Sequence, residues 1–405
     1  MAERPTGARI ALMTAIGAAG LVVAGAVAAA GLATVMARRV ITPPRVREED
    51  IRVLGYTATT ITLSATDDTR TPGRYGLWFS GDTGYLRLGD IIDSSPESVT
   101  RQLLSVAFGN LAAARRARFS GWFYLHPSEL GVPVEEIAIE APVGLAPAWL
   151  VAAESGTDDW VIQVHGRAVT RAEGIRAVPV FRKAGYTSLL VSYRNDGVAP
   201  DSVDRRYALG GTEWRDVETA IDFAVERGAK NIVLMGWSMG GATSLQASIL
   251  SKHRSLFRGL ALESPAVDWF SILDFQASQA RVPYLVRLAS LRLLSSRWGK
   301  PFTGQAEPID LDSLNIVDRA HELTLPTLLM HSADDGYVPA DASRKLALLR
   351  PDLVQYDEWT VARHAKLWNY DPERFDRLLT EWLASLGTPS ARTSRPRRRA
   401  AAAPE

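Results

Sequence analysis

A serine among glycines is the clearest candidate for covalent chemistry: residues 236–241 read Gly236-Trp237-Ser238-Met239-Gly240-Gly241. The apolar run 232–235 before them is typical of a buried strand, and residues 242–250 after them fit a helix. Where a strand turns sharply into a helix, side chains beside the serine would collide, so glycines are needed there. The helix also directs its first N–H groups toward the place where an oxyanion would form. We therefore predict that Ser238 is a nucleophile.

A serine hydroxyl becomes an effective nucleophile when a base removes its proton and a carboxylate stabilises that base. The sequence offers six candidate bases: His126, His165, His253, His321, His331 and His364. Two aspartates, Asp334 and Asp335, follow the apolar run 327–330, which is typical of a buried strand. Either carboxylate could orient an imidazole, so the residues alone do not decide which of the two is the acid.

A family resemblance selects one of the two acids. Residues 331–339, His-Ser-Ala-Asp-Asp-Gly-Tyr-Val-Pro, resemble the HGxxDxxVP segment of the α/β-hydrolase family, with Ser332 in place of the usual glycine. This alignment implies that Asp335 is the acid and that Asp334 is a solvated turn residue.

The same resemblance implies the base. In that family the base follows the acid in the chain, and His364 is the histidine that does so here. Ser238, Asp335 and His364 would then form a nucleophilic triad. Residues 193–197 resemble the family's DYRGxG segment, and the whole resemblance covers about 136–386.

Two backbone amides are expected to hold the oxyanion. One is the N–H of Met239, directly after the nucleophile. The other is the N–H of Arg167, because His165-Gly166-Arg167 resembles the HGx segment of the family. The sequence does not decide whether the side chain of Arg167 faces solvent or a substrate anion.

The elements that would position these residues lie in a predicted domain over 136–387. Its short apolar runs alternate with amphipathic helical segments, as expected for strands that are covered on both faces. This pattern predicts a doubly wound, mostly parallel α/β sheet that binds ligands at the carboxyl ends of its strands. By its position, the segment of about 265–312 resembles the helical cap insertion of the family.

A β-rich prefix is predicted over 45–135, because its apolar segments alternate and are separated by turn residues. Within it, the apolar positions of 96–116 predict one helix. The prefix contains no catalytic pattern, so we assign it packing or partner contacts.

The N-terminus predicts a membrane anchor. After a flank of residues 1–9, the 28 residues 10–37 carry no charge, and about 20 suffice to span a bilayer. The alternative is a cleaved signal peptide with a site at Ala26-Val27-Ala28, which would lead to secretion. Arginines after the span weakly favour a cytoplasmic catalytic domain. The basic tail, 388–405, is predicted to be disordered.

Composition narrows the function further. The 46 Lys and Arg balance 45 Asp and Glu, which argues against a nucleic-acid partner, and the lack of cysteine excludes thiol catalysis. We expect a serine hydrolase that needs neither metal nor organic cofactor and acts on a small-molecule or lipid-like acyl substrate. The alternatives are an acyltransferase, a serine aminopeptidase-like enzyme, or a non-catalytic interaction module of the same fold. The sequence leaves the oligomeric state open.

Overall fold

The computed structural model describes residues 7–156 and 158–387, with the side chains of residues 24–156 and 158–387. The predicted basic tail, 388–405, and the first six residues of the predicted flank lie outside the described residues. A long N-terminal helix is followed by an antiparallel β-barrel and then by a β-sheet with helices on both faces.

The N-terminal helix, α1, spans Gly7–Ile41. In the described part of the chain, its segment Ala24–Ile41 is the one stretch that is long and apolar enough to cross a membrane. One face of this segment is nonetheless buried, since Ala33 and Ala37 are inaccessible to solvent. The last turns of the predicted span, 10–37, therefore pack against the rest of the protein.

The prefix folds into a closed six-stranded barrel with the neighbour order β1-β2-β5-β4-β3-β6. Every neighbouring pair is antiparallel. Alternate side chains fill the interior, as expected for strands with one buried face. The strands are β1 (Ile51–Tyr56), β2 (Thr60–Ser64), β3 (Tyr75–Phe79), β4 (Gly84–Ser94), β5 (Ser98–Phe108) and β6 (Arg116–Ser120).

The helix predicted over 96–116 is wrong, because most of this segment forms β5. Val99 lies inside the barrel, whereas Leu104 and Val106, two of the apolar positions on which the helix was predicted, are more than 40% exposed. Buried side chains recur every two residues, as in a strand, rather than every 3.6 residues, as in a helix. The segment is a strand because it pairs with β2 on one side and β4 on the other.

The second sheet has eight strands in the order β14-β13-β12-β11-β9-β10-β8-β7. The β7–β8 and β8–β10 pairs are antiparallel and lie at one edge, and all other pairs are parallel. The central strands are almost completely buried, in agreement with their apolar sequences. The strands are β7 (Glu135–Ala141), β8 (Gly144–Val151), β9 (Asp159–Val164), β10 (Thr187–Val191), β11 (Asn231–Trp237), β12 (Phe257–Glu263), β13 (Thr327–Ser332) and β14 (Val354–Trp359).

Helices cover both faces of this sheet, which confirms the doubly wound α/β class. One apolar cluster joins alternate strand residues to α3, α4 and α8, and a second joins the remaining ones to α2, α9 and α10. Because β9 to β14 run parallel to one another, their carboxyl ends all lie at one edge of the sheet. The helices are α2 (Val178–Lys183), α3 (Trp214–Glu226), α4 (Met239–Leu250), α8 (Asp341–Leu349), α9 (Leu367–Tyr370) and α10 (Pro372–Ser385).

Three helices are inserted between β12 and β13: α5 (Trp269–Gln279), α6 (Tyr284–Ser295) and α7 (Lys300–Thr303). They lie in the segment that resembles a cap insertion. The cap packs against α1, where the Ser290 hydroxyl donates to the Ala33 carbonyl at 3.1 Å. The cap therefore connects the N-terminal helix to the sheet.

Candidate active site

Ser238 occupies a strained turn between β11 and α4, with φ 53° and ψ −117°. A Cβ atom on Gly236 would lie 2.5 Å from the Gly240 carbonyl oxygen, and one on Gly240 would lie 2.1 Å from the Val164 carbonyl oxygen. Because both distances are far below van der Waals contact, the turn can close only with glycine at these positions. The glycines on both sides of Ser238 are therefore required by steric contacts in the folded protein, as predicted.

The structure brings Ser238, His364 and Asp335 together. His364 Nε2 lies 3.0 Å from Ser238 Oγ, and His364 Nδ1 lies 2.7 Å from Asp335 Oδ2. Because an ionised carboxylate only accepts hydrogen bonds, Nδ1 must carry the proton on a neutral ring, which leaves Nε2 free to accept from the serine hydroxyl. The arrangement can remove a proton from the serine.

Asp335 is buried and fully hydrogen-bonded. Its Oδ1 accepts the backbone N–H groups of Tyr337 and Val338, both at 2.8 Å. Burial alone would raise the pKa of the carboxyl, but the His364 charge and the hydrogen bonds from His331 and His364 outweigh it and hold the pKa far below its usual range. The carboxylate therefore stays ionised, as a group that stabilises an imidazolium must be.

His331, one of the six candidate bases, also contacts Asp335, which the sequence did not predict. Its Nε2 lies 3.2 Å from Asp335 Oδ2 and 2.9 Å from the Val338 carbonyl oxygen, and its ring is completely buried. Since a carbonyl can only accept, Nε2 is the donor, and Nδ1 accepts from the Ser343 hydroxyl at 2.8 Å. The sequence feature that could have indicated this contact is the position of His331 at the carboxyl end of a buried strand, four residues before Asp335.

Asp334 lies in the predicted turn and is partly exposed, but its carboxylate is hydrogen-bonded within the fold and does not reach the His364 ring. Its Oδ1 accepts from the Ser332 hydroxyl at 2.6 Å and from the Arg363 backbone N–H at 2.9 Å. Asp334 therefore braces the loop that carries His364. Ser332, which replaces the glycine of the family segment, takes part in the same bracing.

The predicted oxyanion loop lies directly beside the serine: a Cβ atom on Gly166 would be 3.3 Å from Ser238 Cβ. The Gly166 N–H donates to the buried Glu173 carboxylate at 2.7 Å, and the Tyr193 hydroxyl donates to the Gly166 carbonyl at 2.7 Å. Sequence reasoning missed Glu173, because the segment 171–177 carries three charged residues and its burial becomes visible only in the tertiary structure. These contacts fix the backbone that precedes Arg167, whose amide stays a predicted donor together with that of Met239.

The Arg167 side chain takes neither of the orientations left open by the sequence. Its Nη2 donates to the carbonyl oxygens of Arg39 at 2.8 Å and Thr42 at 3.2 Å, at the C-terminal end of α1. Its guanidinium also lies over the Tyr207 ring. A cation is favoured at a helix C-terminus, so this side chain attaches α1 to the loop beside Ser238.

One cluster among the described residues has the composition of a metal site: Glu218, Asp222 and His253. Its Asp222 carboxylate already pairs with Lys252 at 2.8 Å and with His253 at 2.6 Å. Lys252 therefore already neutralises the Asp222 carboxylate, whereas Glu218 Oε2 is buried without a hydrogen-bond partner from the residues that the structure describes. It shares no residue with the Ser238 arrangement.

The sequence matches the family described as Alpha/beta hydrolase over residues 161–378. The chain belongs to the α/β-hydrolase family. Residues 52–120, which form the barrel, match a family described as Domain of unknown function (DUF8805). The barrel and the hydrolase sheet therefore match two different sequence families.

Individual relatives agree with this assignment. A curated relative, the 2-hydroxy-6-oxononadienedioate/2-hydroxy-6-oxononatrienedioate hydrolase of Comamonas testosteroni, is 25% identical over 272 residues, which cover 57% of this chain and 90% of that protein. The esterase Pf2001 of Pyrococcus furiosus shares the fold with a TM-score of 0.50 and 18% identity, covering 65% of this chain and 96% of the esterase. Hydrolysis is the general activity that these comparisons support.

Proposed function

We propose that the protein is a serine hydrolase that cleaves an ester, thioester or amide through an acyl-enzyme on Ser238. The observation that carries the proposal is the continuous chain of contacts from Ser238 Oγ to His364 Nε2 at 3.0 Å and from His364 Nδ1 to Asp335 Oδ2 at 2.7 Å. Both distances are hydrogen-bond distances, as proton transfer from the nucleophile requires.

In the proposed reaction, Ser238 Oγ attacks the acyl carbon while His364 Nε2 takes the hydroxyl proton. The carbonyl oxygen becomes an oxyanion held by the amides of Met239 and Arg167. His364 then gives its proton to the leaving group as the acyl–leaving-group bond breaks. A water molecule attacks the acyl-enzyme, again with His364 as the base, and releases the acid and free Ser238. Asp335 stabilises the imidazolium in both steps.

The acyl group is expected to be selected by the cap. Tyr337 lies beside the His364 ring with the two ring centroids 5.4 Å apart, and the Gln276 side chain of α5 donates to the Tyr337 carbonyl at 3.0 Å. The cap therefore reaches the edge of the reaction site, where a small-molecule or lipid-like acyl chain would lie. An acceptor other than water at the same site would give an acyltransferase.

We also propose that α1 tethers the enzyme to a membrane. Residues 7–32 precede the buried Ala33, and at 1.5 Å per residue they span about 39 Å, more than the hydrocarbon core of about 30 Å. A cleaved signal sequence is the alternative, because cleavage after Ala28 would leave the docked part of α1 in place. Mass spectrometry of the mature N-terminus distinguishes the two, since only a tether retains residues 10–28.

A fluorophosphonate probe tests the catalytic proposal because it reacts with an activated serine whatever the natural substrate. The wild-type protein should be labelled, and Ser238→Ala should abolish the label. Ser295→Ala, a matched change on the exposed end of α6, should leave labelling unchanged. No labelling of the folded wild-type protein would favour a non-catalytic module. A p-nitrophenyl ester chain-length series alongside aminopeptidase substrates would then define the acyl and leaving groups.

A further inference from the structure

The loop that carries His364 has an unusual backbone. Arg363 on one side has φ 63°, and Ala365 on the other has φ 48°. Both are left-handed conformations that residues with a side chain rarely adopt, so the surrounding structure must hold them. The position of the imidazole therefore depends on contacts made by its neighbours.

The hydrolase domain supplies some of these contacts. The Arg363 N–H donates to Asp334 Oδ1 at 2.9 Å, and the Ala365 N–H donates to the Ser264 hydroxyl at 3.2 Å. These bonds fix the backbone from the sheet side. The Arg363 side chain adds a contact to the same domain, since its Nη1 donates to the Asp334 carbonyl at 3.3 Å, but this side chain and that of Lys366 also extend to the barrel.

Both of these side chains bind the barrel. Lys366 Nζ donates to Asp68 Oδ1 at 2.8 Å, and Arg363 Nη2 donates to Asp67 Oδ2 at 3.2 Å. The two acids lie in the turn between β2 and β3. The Lys366 side chain is only 15% exposed and that of Asp68 36%, whereas that of Asp67 is 80% exposed. Because solvent screens exposed pairs, the Asp68–Lys366 pair is the stronger of the two.

A second barrel contact lies just beyond the loop. The Arg74 N–H donates to the Asn369 carbonyl at 2.9 Å, and the buried Asn369 side chain donates to the carbonyls of Arg74 and Gly121, both at 2.9 Å. A Cβ atom on Gly73, which has φ +110°, would lie 2.1 Å from the Asn369 oxygen. The barrel therefore approaches the chain after His364 so closely that only glycine fits.

An arginine inside the barrel makes this turn rigid. Arg101 is fully buried, and its guanidinium donates to the carbonyls of Thr69 at 3.0 Å, Thr71 at 2.8 Å and Gly73 at 2.6 Å. Burial lowers the pKa of Arg101 to about 10, so the side chain is still charged at neutral pH. Its charge is stabilised by the carbonyl groups of the same turn that presents Asp67 and Asp68.

We propose that the barrel positions the base: its turn at residues 67–74 holds the loop of His364 so that the imidazole stays within reach of Ser238. Asp68 and Lys366 are positioning residues, since they act through the loop and do not touch the reacting atoms. The inference rests on the proposed function of the Ser238 site. It gives the barrel a role in the reaction that its sequence does not reveal.

The test is the rate of fluorophosphonate labelling, together with kcat and KM for a p-nitrophenyl ester, in full-length Asp68→Asn. Since a displacement of 1 Å can cost on the order of 100-fold, we expect labelling and kcat to fall about tenfold, with KM unchanged. The matched control is Asp82→Asn. Asp82 is another barrel acid of similar exposure, paired with Arg118 at 2.9 Å, and it should leave the labelling rate unchanged.

Rescue by charge exchange separates positioning from general destabilisation. Asp68→Lys and Lys366→Asp should each slow labelling, and the double variant should recover part of the lost rate; recovery is partial because Arg363 Nε, 3.8 Å from Asp68 Oδ1, would repel a lysine at position 68. If Asp68→Asn fails to fold, as judged by thermal unfolding, Lys366→Gln provides the same measurement. Labelling of Asp68→Asn or Lys366→Gln at the wild-type rate would overturn the positioning role. An unlabelled wild-type protein would instead refute the proposed function itself.

Discussion

Replacing Asp335 by asparagine should almost abolish activity while the backbone contacts of the side chain stay in place. The new side chain can still accept the Tyr337 and Val338 N–H groups through its oxygen. Its NH₂ group would then face His364 Nδ1, 2.7 Å away, and would donate where the carboxylate accepts. The imidazole must respond by moving its proton to Nε2.

This tautomer cannot accept the serine proton, because Nε2 then presents its own hydrogen to Ser238 Oγ at 3.0 Å. A wrong tautomer of this kind costs about 10⁴-fold in kcat, or roughly 5 kcal/mol of transition-state stabilisation. His331 does not restore the proper tautomer, since its own Nε2–H is retained by the Val338 carbonyl at 2.9 Å.

The assay is kcat for a p-nitrophenyl ester in Asp335→Asn, with fluorophosphonate labelling as a second readout. Asp334→Asn is the matched control, because Asp334 contacts the loop backbone and not the ring; it should retain activity within about tenfold of the wild type. If Asp335→Asn kept more than a tenth of the wild-type kcat while folded, the assignment of the acid would be wrong.

Two further predictions concern stability. Gly240→Ala should lower the thermal midpoint strongly, because its methyl group would lie 2.1 Å from the Val164 carbonyl oxygen; Gly55→Ala, which meets no atom within 4 Å, serves as control, and equal midpoints would contradict the packing argument. For Asp196, burial raises the pKa, but hydrogen bonds from His165 and from backbone amides outweigh it and lower the pKa below the ordinary value. The ionised Asp196 therefore stabilises the fold above about pH 4, and this stability is lost as the pH falls toward the lower pKa of the folded state. The midpoints of urea unfolding at pH 7 and pH 3 should therefore differ less in Asp196→Asn than in the wild type.

Local sequence patterns were sufficient where the chemistry depends on neighbouring residues. The glycines around Ser238 are required by the backbone of a single turn, so their spacing could be interpreted without knowing the rest of the fold. The apolar strands were recognisable because burial on both faces leaves a continuous apolar run. The strand β5 could not be recognised in the same way, because its short apolar pattern fits both a helix and a strand. Pairing with β2 and β4 decides that it is a strand.

Taken alone, the sequence determined the α/β class, the nucleophile candidate Ser238 and a short list of acids and bases, because these follow from local spacing and chain order. Only the tertiary structure decided which partners meet. It brought Asp335 rather than Asp334 to His364, and it placed Asp68 beside Lys366, 298 positions later in the chain. Contacts between segments so far apart leave no periodicity in the sequence, because they depend on how barrel, sheet and loops pack together.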